Sequence, residues 1–284
     1  MPQATVEDIL YHDAPALRLQ SPDGASAIIL LHGAQVVSWI PAGGQERLYM
    51  SELAQIAPGK AVRGGIPVIF PQFSTLGPLP RHGFARTQAW ERQSLRAEAD
   101  YAMLTLRLAA NESTRAIWPH AFALELSISV TGNRFDIELE VQNEGEDAFT
   151  FTCALHTYLR VKEVEEAHLE GLNGHRYTDC TDTARPQRTD TGVFLAVEAE
   201  TDRIYHQVER PLLLRESRQS VGINAENMPD IVVWNPWEHS VKNFTDMPPK
   251  DFRRMLCVEA AAIETPIELA AGGIWWGRQT LIAM

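Results

Sequence analysis

Apolar residues in this chain recur mostly at every second position. Phe122, Leu124, Leu126, Ile128 and Val130 alternate with Ala123, Glu125, Ser127 and Ser129; after Thr131-Gly132-Asn133, Phe135, Ile137, Leu139 and Val141 alternate with Asp136, Glu138 and Glu140. Successive side chains of a strand point to opposite faces, so this spacing predicts a β-hairpin with one buried and one wetted face. Residues 101–110 repeat the pattern, with Ala102, Leu104, Leu106 and Leu108 on one side and Tyr101, Thr105 and Arg107 on the other. Residues 26–41 hold two short apolar runs broken at His32-Gly33, again strands. Residues 149–161 predict one further strand: Phe149, Phe151, Cys153, Leu155, Leu159 and Val161 form its apolar side, interrupted by Thr157, and His156 lies on the opposite side with Thr150, Thr152, Tyr158 and Arg160. Short strands joined by long loops are expected over 164–218, buried strands at 231–234 and 255–258, and a short helix or turn between 238 and 252. No long amphipathic helix, fixed-period repeat or linker interrupts the series. The expectation is an all-β fold, a large antiparallel β-sandwich, with residues 1–284 as a single domain.

Composition narrows the partners. With 37 acidic and 25 basic residues the net charge is −12, which repels nucleic acid and anionic membrane surfaces but leaves room for a small anion held by local cations. The opening MPQATVEDIL has no basic segment followed by an apolar core, and no run approaches the roughly 18 apolar residues of a membrane span, so a cytoplasmic location is expected. Cys153, Cys180 and Cys257 are odd in number and widely spaced, which predicts free thiols rather than a disulfide framework or a zinc knuckle. A monomer acting on a small molecule is the default expectation.

One stretch breaks the alternation. Residues 61–86, AVRGGIPVIFPQFSTLGPLPRHGFAR, combine Gly64, Gly65, Pro67, Pro71, Pro78 and Pro80 with Arg63, Arg81, His82 and Arg86. Neither a helix nor a central strand tolerates such a density of proline and glycine, so a stiff irregular loop presents several cations in a confined space, which describes an anion pocket or a solvated surface connection. Hydrolytic metal motifs, the serine nucleophile elbow, the phosphate-binding Walker loop and the dinucleotide fingerprint are all missing, and acid–base chemistry is what remains. His156 suits proton transfer near neutral pH, although a lone histidine on a strand also serves as a hydrogen-bonded structural residue. Glu259 closes the run Met255-Leu256-Cys257-Val258 and precedes three alanines, so burial would make it a stronger base, unless it is neutralised in a salt bridge with one of the arginines. Trp234 and Trp237 offer either core bulk or a face for a sugar ring.

The loop resembles the signature of the hexose-6-phosphate mutarotases, or glucose-6-phosphate 1-epimerases, of the galactose-mutarotase-like superfamily. The similarity runs through Arg63-Gly64-Gly65-Ile66-Pro67, Phe70-Pro71-Gln72-Phe73, Leu79-Pro80 and His82-Gly83-Phe84-Ala85-Arg86. It continues in order through Leu155-His156-Thr157-Tyr158, Asp202-Arg203-Ile204-Tyr205, Val233-Trp234-Asn235-Pro236-Trp237 and Val258-Glu259. Two departures bear on sugar selectivity: Ser74-Thr75-Leu76 replaces a shorter glycine-containing link, and Arg81 stands where glutamine is common. The resemblance implies a galactose-mutarotase-like supersandwich that interconverts the α and β anomers of a phosphorylated aldohexose. It also implies His156 and Glu259 as general acid and base, and Arg63, Arg81, His82, Arg86 and Asp202 as substrate-binding residues, with neither cofactor nor metal. Competing readings are an aldose 1-epimerase for neutral sugars, a sugar-phosphate-binding protein without turnover, and a purely structural sandwich.

Overall fold

The computed structural model describes residues 3–284; the first two positions of the expected domain lie outside them. Three antiparallel sheets of four, eight and nine strands organise the described residues. The four-stranded sheet is a meander of Thr5–Tyr11, Ala14–Gln20, Ser26–Leu30 and Val36–Ile40. The nine-stranded sheet is built around the predicted hairpin, Phe122–Thr131 with Arg134–Asn143, in which Leu124 faces Val141, Leu126 faces Leu139 and Ile128 faces Ile137. All six of these side chains are fully buried, so the alternation read from the sequence is the buried face. One apolar cluster draws on all three sheets, from Leu17 and Ile29 through Leu126 and Leu139 to Leu155, Val233 and Val258.

The eight-stranded sheet carries the chemistry. Its strand order is Gln187–Thr189, Arg176–Asp179, Thr201–Tyr205, Asp230–Asn235, Met255–Leu269, Phe149–Leu155, Val68–Ile69, with Tyr158–Arg160 also pairing with Met255–Leu269. The single strand expected over 149–161 is two strands, Phe149–Leu155 and Tyr158–Arg160, separated at His156-Thr157. The interruption is local: Thr157 N–H turns back to the Leu155 carbonyl, and its hydroxyl donates to the buried Gln279 side chain. The register is equal on both sides of the break, Leu155 facing Ala260 and Tyr158 facing Cys257, which sets His156 directly across from Glu259.

The loop of residues 61–86 is ordered by what its sequence supplies at intervals. Phe70 and Phe84 enter an aromatic cluster with Phe122 and Trp118, at ring separations of 5.4 to 6.2 Å. Glycine is required at two points in particular: Gly65 (φ 63°) packs against the Val36 carbonyl and Gly83 (φ 66°) against the Phe70 carbonyl, where any Cβ would collide. A segment so poor in ladder pairing must satisfy its backbone otherwise. Gln35 donates to the carbonyls of Val62 and Gly64, and Gln72 clamps the outer turn by donating to Ser74 and Leu79 carbonyls and accepting from Leu79 N–H.

Candidate active site

The loop and the sheet meet over a cavity of about 440 Å³, within the roughly 300–1,000 Å³ usual for small-molecule sites. Every residue singled out from the sequence as catalytic or substrate-binding lines it: Arg63, Arg81, His82 and Arg86 from the loop, and His156, Asp202 and Glu259 from the sheet.

His156 and Glu259 form its floor. Glu259 is 1% exposed and His156 8%. Nδ1 of His156 approaches Glu259 Oε1 to 3.2 Å but off the hydrogen-bonding axis, so Nδ1 and Glu259 Oε2 are both left without an aligned partner. The imidazole lies parallel to the Tyr158 ring at 4.8 Å and edge-on to Trp234 at 6.1 Å, which fixes its plane. Burial drives the Glu259 carboxyl well above its ordinary pKa, with Asp202 adding to the effect and Arg86 opposing it. Burial likewise drives His156 well below its ordinary value, assisted by His82, Arg86 and Arg63. Strongly perturbed, mutually facing groups in a cavity are the pattern of an acid–base pair. Among the described residues the arginine salt bridge that sequence alone left open for Glu259 is not formed; its carboxylate faces His156 at 3.2 Å, with Cys257 Sγ also close by.

The four loop residues differ in freedom. Arg63 is pinned, with Nη2 3.2 Å from Asp246 Oδ1, Nη1 donating to Tyr158 Oη at 3.2 Å, and its guanidinium 4.6 Å from the centre of the Phe244 ring. Arg86 is half-buried; it donates to the Arg81 carbonyl at 3.2 Å while its Nε is buried with no partner among the described residues. Burial, with Arg63 and Arg81 close by, pulls Arg86 down to about 10, so it remains a cation at neutral pH. Arg81 is exposed at the rim. Among the described residues neither Arg81 nor Arg86 makes an ion pair with a carboxylate. Burial and the three neighbouring arginines push His82 down to about 3, so its ring is neutral. Ser74 N–H donates to His82 Nδ1, which places the ring proton on Nε2.

Asp202 is half-buried in Thr201–Tyr205 rather than on an exposed loop, and burial pushes it up to about 6 against the pull of Arg185 and Arg81. Of the two tryptophans, Trp234 lines the cavity, whereas Trp237 packs on Phe252 at 5.3 Å. Sequence reasoning missed Tyr158, which orients both His156 and Arg63, and Asp246, Phe244 and Arg185, which complete the wall from distant loops. Tyr158 was within reach, since it shares the polar side of its strand with His156; the loop residues carry no periodic signal.

Comparison with known proteins agrees with this geometry. The family model described as aldose 1-epimerase matches residues 15–281. A protein of Cenchrus ciliaris named "Putative glucose-6-phosphate 1-epimerase" is 36% identical over 277 residues, covering 94% of this chain and 84% of that protein. A protein of the same name from Escherichia coli strain K12 is 33% identical over 258 residues, covering 89% and 83%. The crystal structure of a "putative mutarotase" from Salmonella typhimurium superposes with a TM-score of 0.90 at 27% identity, covering 100% of this chain and 95% of that one. The fold is therefore the galactose-mutarotase-like β-sandwich, and this chain belongs to the aldose 1-epimerase family, an isomerase that interconverts the anomers of a sugar.

Proposed function

We propose that the substrate is a hexose 6-phosphate, with glucose 6-phosphate as the leading candidate, and that the chain acts as a single cytoplasmic domain and as a monomer. The observation that carries the substrate is the arginine cluster: Arg81 and Arg86 share the cavity with the acid–base pair, and among the described residues they lack carboxylate partners and the buried Arg86 Nε has no partner at all. Buried cationic donors without an acceptor are costly, and a phosphate supplies several acceptors in the geometry a guanidinium matches. His82 adds a neutral N–H. The names of the plant and Escherichia coli relatives point to the same substrate. The single-domain reading is supported by the apolar cluster shared among the three sheets.

The reaction requires one proton removed and one delivered. Glu259 takes the proton from the anomeric O1 hydroxyl while His156 protonates the ring oxygen; the C1–O5 bond breaks, the C1 carbonyl rotates about C1–C2, and reclosure from its other face returns both protons. Asp202 holds a sugar hydroxyl, and Trp234 supplies an apolar wall. The direct test is anomer exchange followed by NMR on glucose, glucose 6-phosphate and galactose 6-phosphate. Faster exchange of the phosphorylated sugars is expected, unchanged after exhaustive chelation because proton transfers suffice. Equal rates on glucose and glucose 6-phosphate would favour a neutral-sugar epimerase, and a loss on chelation restored by a divalent ion, at a temperature where the chelated protein stays folded, would overturn the cofactor-free mechanism.

The perturbed pair also predicts a pH profile. Only the singly protonated pair can give one proton and accept one. With Glu259 raised and His156 lowered, that state is expected to span a broad plateau through neutral pH with its proton resting on Glu259, and the reactive form is the minor arrangement of the same charge in which the proton has passed to His156. The kcat/KM should therefore fall in acid, where both groups are protonated, and in base, where neither is. In Glu259→Gln the residual rate should lose one limb; an unchanged two-limbed profile in that variant would assign the limbs to other groups.

A further inference from the structure

Some way along the same sheet from the catalytic pair, beyond the apolar side chains of Ile204, Val232, Ala261 and Ile263, three further ionisable side chains converge. His206 follows Thr201–Tyr205, Asp230 opens Asp230–Asn235, and Glu264 lies in Met255–Leu269. His206 and Asp230 are buried, their side chains 5% and 2% exposed, while the Glu264 side chain is 29% exposed and opens the cluster to solvent.

Each of the three is anchored through one polar atom and presents the other. The Nε2 of His206 is 2.8 Å from Thr178 Oγ1. Asp230 Oδ2 accepts the backbone N–H groups of Ile263 and Glu264 at 2.7 and 2.8 Å. Glu264 Oε1 is 2.6 Å from Arg176 Nη2. Facing inward is His206 Nδ1, which makes a long hydrogen bond of 3.4 Å with Asp230 Oδ1 and lies 3.5 Å from Glu264 Oε2. A charge-assisted hydrogen bond would close to about 2.7–2.9 Å. This contact is longer than that, and the separations of 3.4 and 3.5 Å are close to the edge, roughly 3.3 Å, of a tetrahedron whose centre lies about 2.0–2.1 Å from each ligand. Ligands held by outer hydrogen bonds, with the imidazole fixed through its other nitrogen, are the arrangement that supporting groups impose around a metal.

We propose that His206, Asp230 and Glu264 form a binding site for a divalent first-row cation of the zinc type, with water completing the coordination on the Glu264 side. One imidazole and two carboxylates suit such a borderline ion. The site joins three adjacent strands of the sheet that carries Asp202 and Glu259, so its effect is on stability and not on the proton transfers.

The test is titration of the chelator-stripped full chain with zinc in competition with a chromogenic chelator, alongside thermal unfolding at rising zinc concentration and the visible spectrum of the cobalt-loaded protein. One equivalent bound is expected, with a Tm that climbs with zinc and a cobalt band of tetrahedral type. Both His206→Gln and Glu264→Gln should weaken binding at least tenfold and flatten the Tm response. Glu264 is accessible enough for its variant to fold, which the metal-free Tm verifies. His156 Nδ1, Cys257 Sγ and a Glu259 oxygen also lie within 4.8 Å of one another, so His156→Ala is the control and should leave the binding intact. Absence of saturable binding, or binding that survives Glu264→Gln and vanishes in His156→Ala, would overturn the proposal.

Discussion

Replacing His156 by alanine or Glu259 by glutamine is expected to slow anomer exchange by roughly two to four orders of magnitude each, with the fold retained. The size follows from the division of labour: ring opening needs O1 deprotonated and the ring oxygen protonated in one concerted event, and each variant leaves one of these to water. Because the two side chains act on one ring as a unit, the double variant should lose little more than either single one. Glutamine keeps the shape of Glu259. The sign of its effect on stability can be worked out: a carboxyl whose folded pKa is raised contributes stability that is present below its unfolded pKa, about 4.3, and is lost as pH rises through the folded value. At neutral and higher pH the glutamine variant should therefore unfold no earlier than the wild type. NMR exchange on folded variants, with thermal unfolding alongside, checks both halves; near-wild-type exchange from either variant removes that residue from the mechanism.

The second large effect concerns the phosphate. Arg86→Ala should raise the KM for glucose 6-phosphate by about one to two orders of magnitude, the roughly 1.5–3 kcal/mol carried by a charged hydrogen-bond donor, while changing glucose turnover far less. Arg86 is the sharpest probe because its buried Nε has no partner among the described residues. Arg81→Gln, at the exposed rim, should show the same selectivity at smaller size, and higher salt should erode the wild-type preference in the same direction. Arg63→Ala is a poor discriminator: the side chain also holds Asp246 and Tyr158 and adjoins the Gly64-Gly65 turn, so its removal would loosen the wall on which His156 stacks. Equal losses on phosphorylated and neutral sugars would transfer the arginines to a structural role.

How much of this was readable in the sequence depends on the physics each element obeys. The hairpin of Phe122–Thr131 with Arg134–Asn143 was legible because one face is dry and the other wet, the condition that forces strict alternation. Thr5–Tyr11 and Ala14–Gln20 were not predicted: VEDILY and APALRLQ bury only part of one face, and their pattern is correspondingly weak. The alternation across 149–161 gave the correct sides, including that of His156, and its lapse at Thr157 marked the place where the strand divides, but not the division itself, at which Thr157 hydrogen-bonds the remote buried Gln279. Ile274–Ala283, the neighbour of both Ser220–Glu226 and Arg134–Asn143, opens on Trp275-Trp276-Gly277 and gave no clear signal. In the site, the residues on the motifs and the strands were found, whereas Asp246 and Arg185 reach the cavity through long-range chain folding that local pattern does not encode.

The amide of Gln72 has a consequence for how such a pocket can change over time. By gripping the chain at Ser74 on one side and at Leu79 on the other, it closes residues 75–78 into a loop whose base, Ser74, is tied to His82 by two hydrogen bonds, with the anchor residues Phe70 and Phe84 seated in the core on either side. Insertions, deletions or substitutions within 75–78 would alter the rim above the cavity while the Gln72 amide and the Ser74–His82 pair hold the loop's base in place. The entrance is thus a separable module, able to diverge toward new sugars while the proton-transfer floor is inherited unchanged.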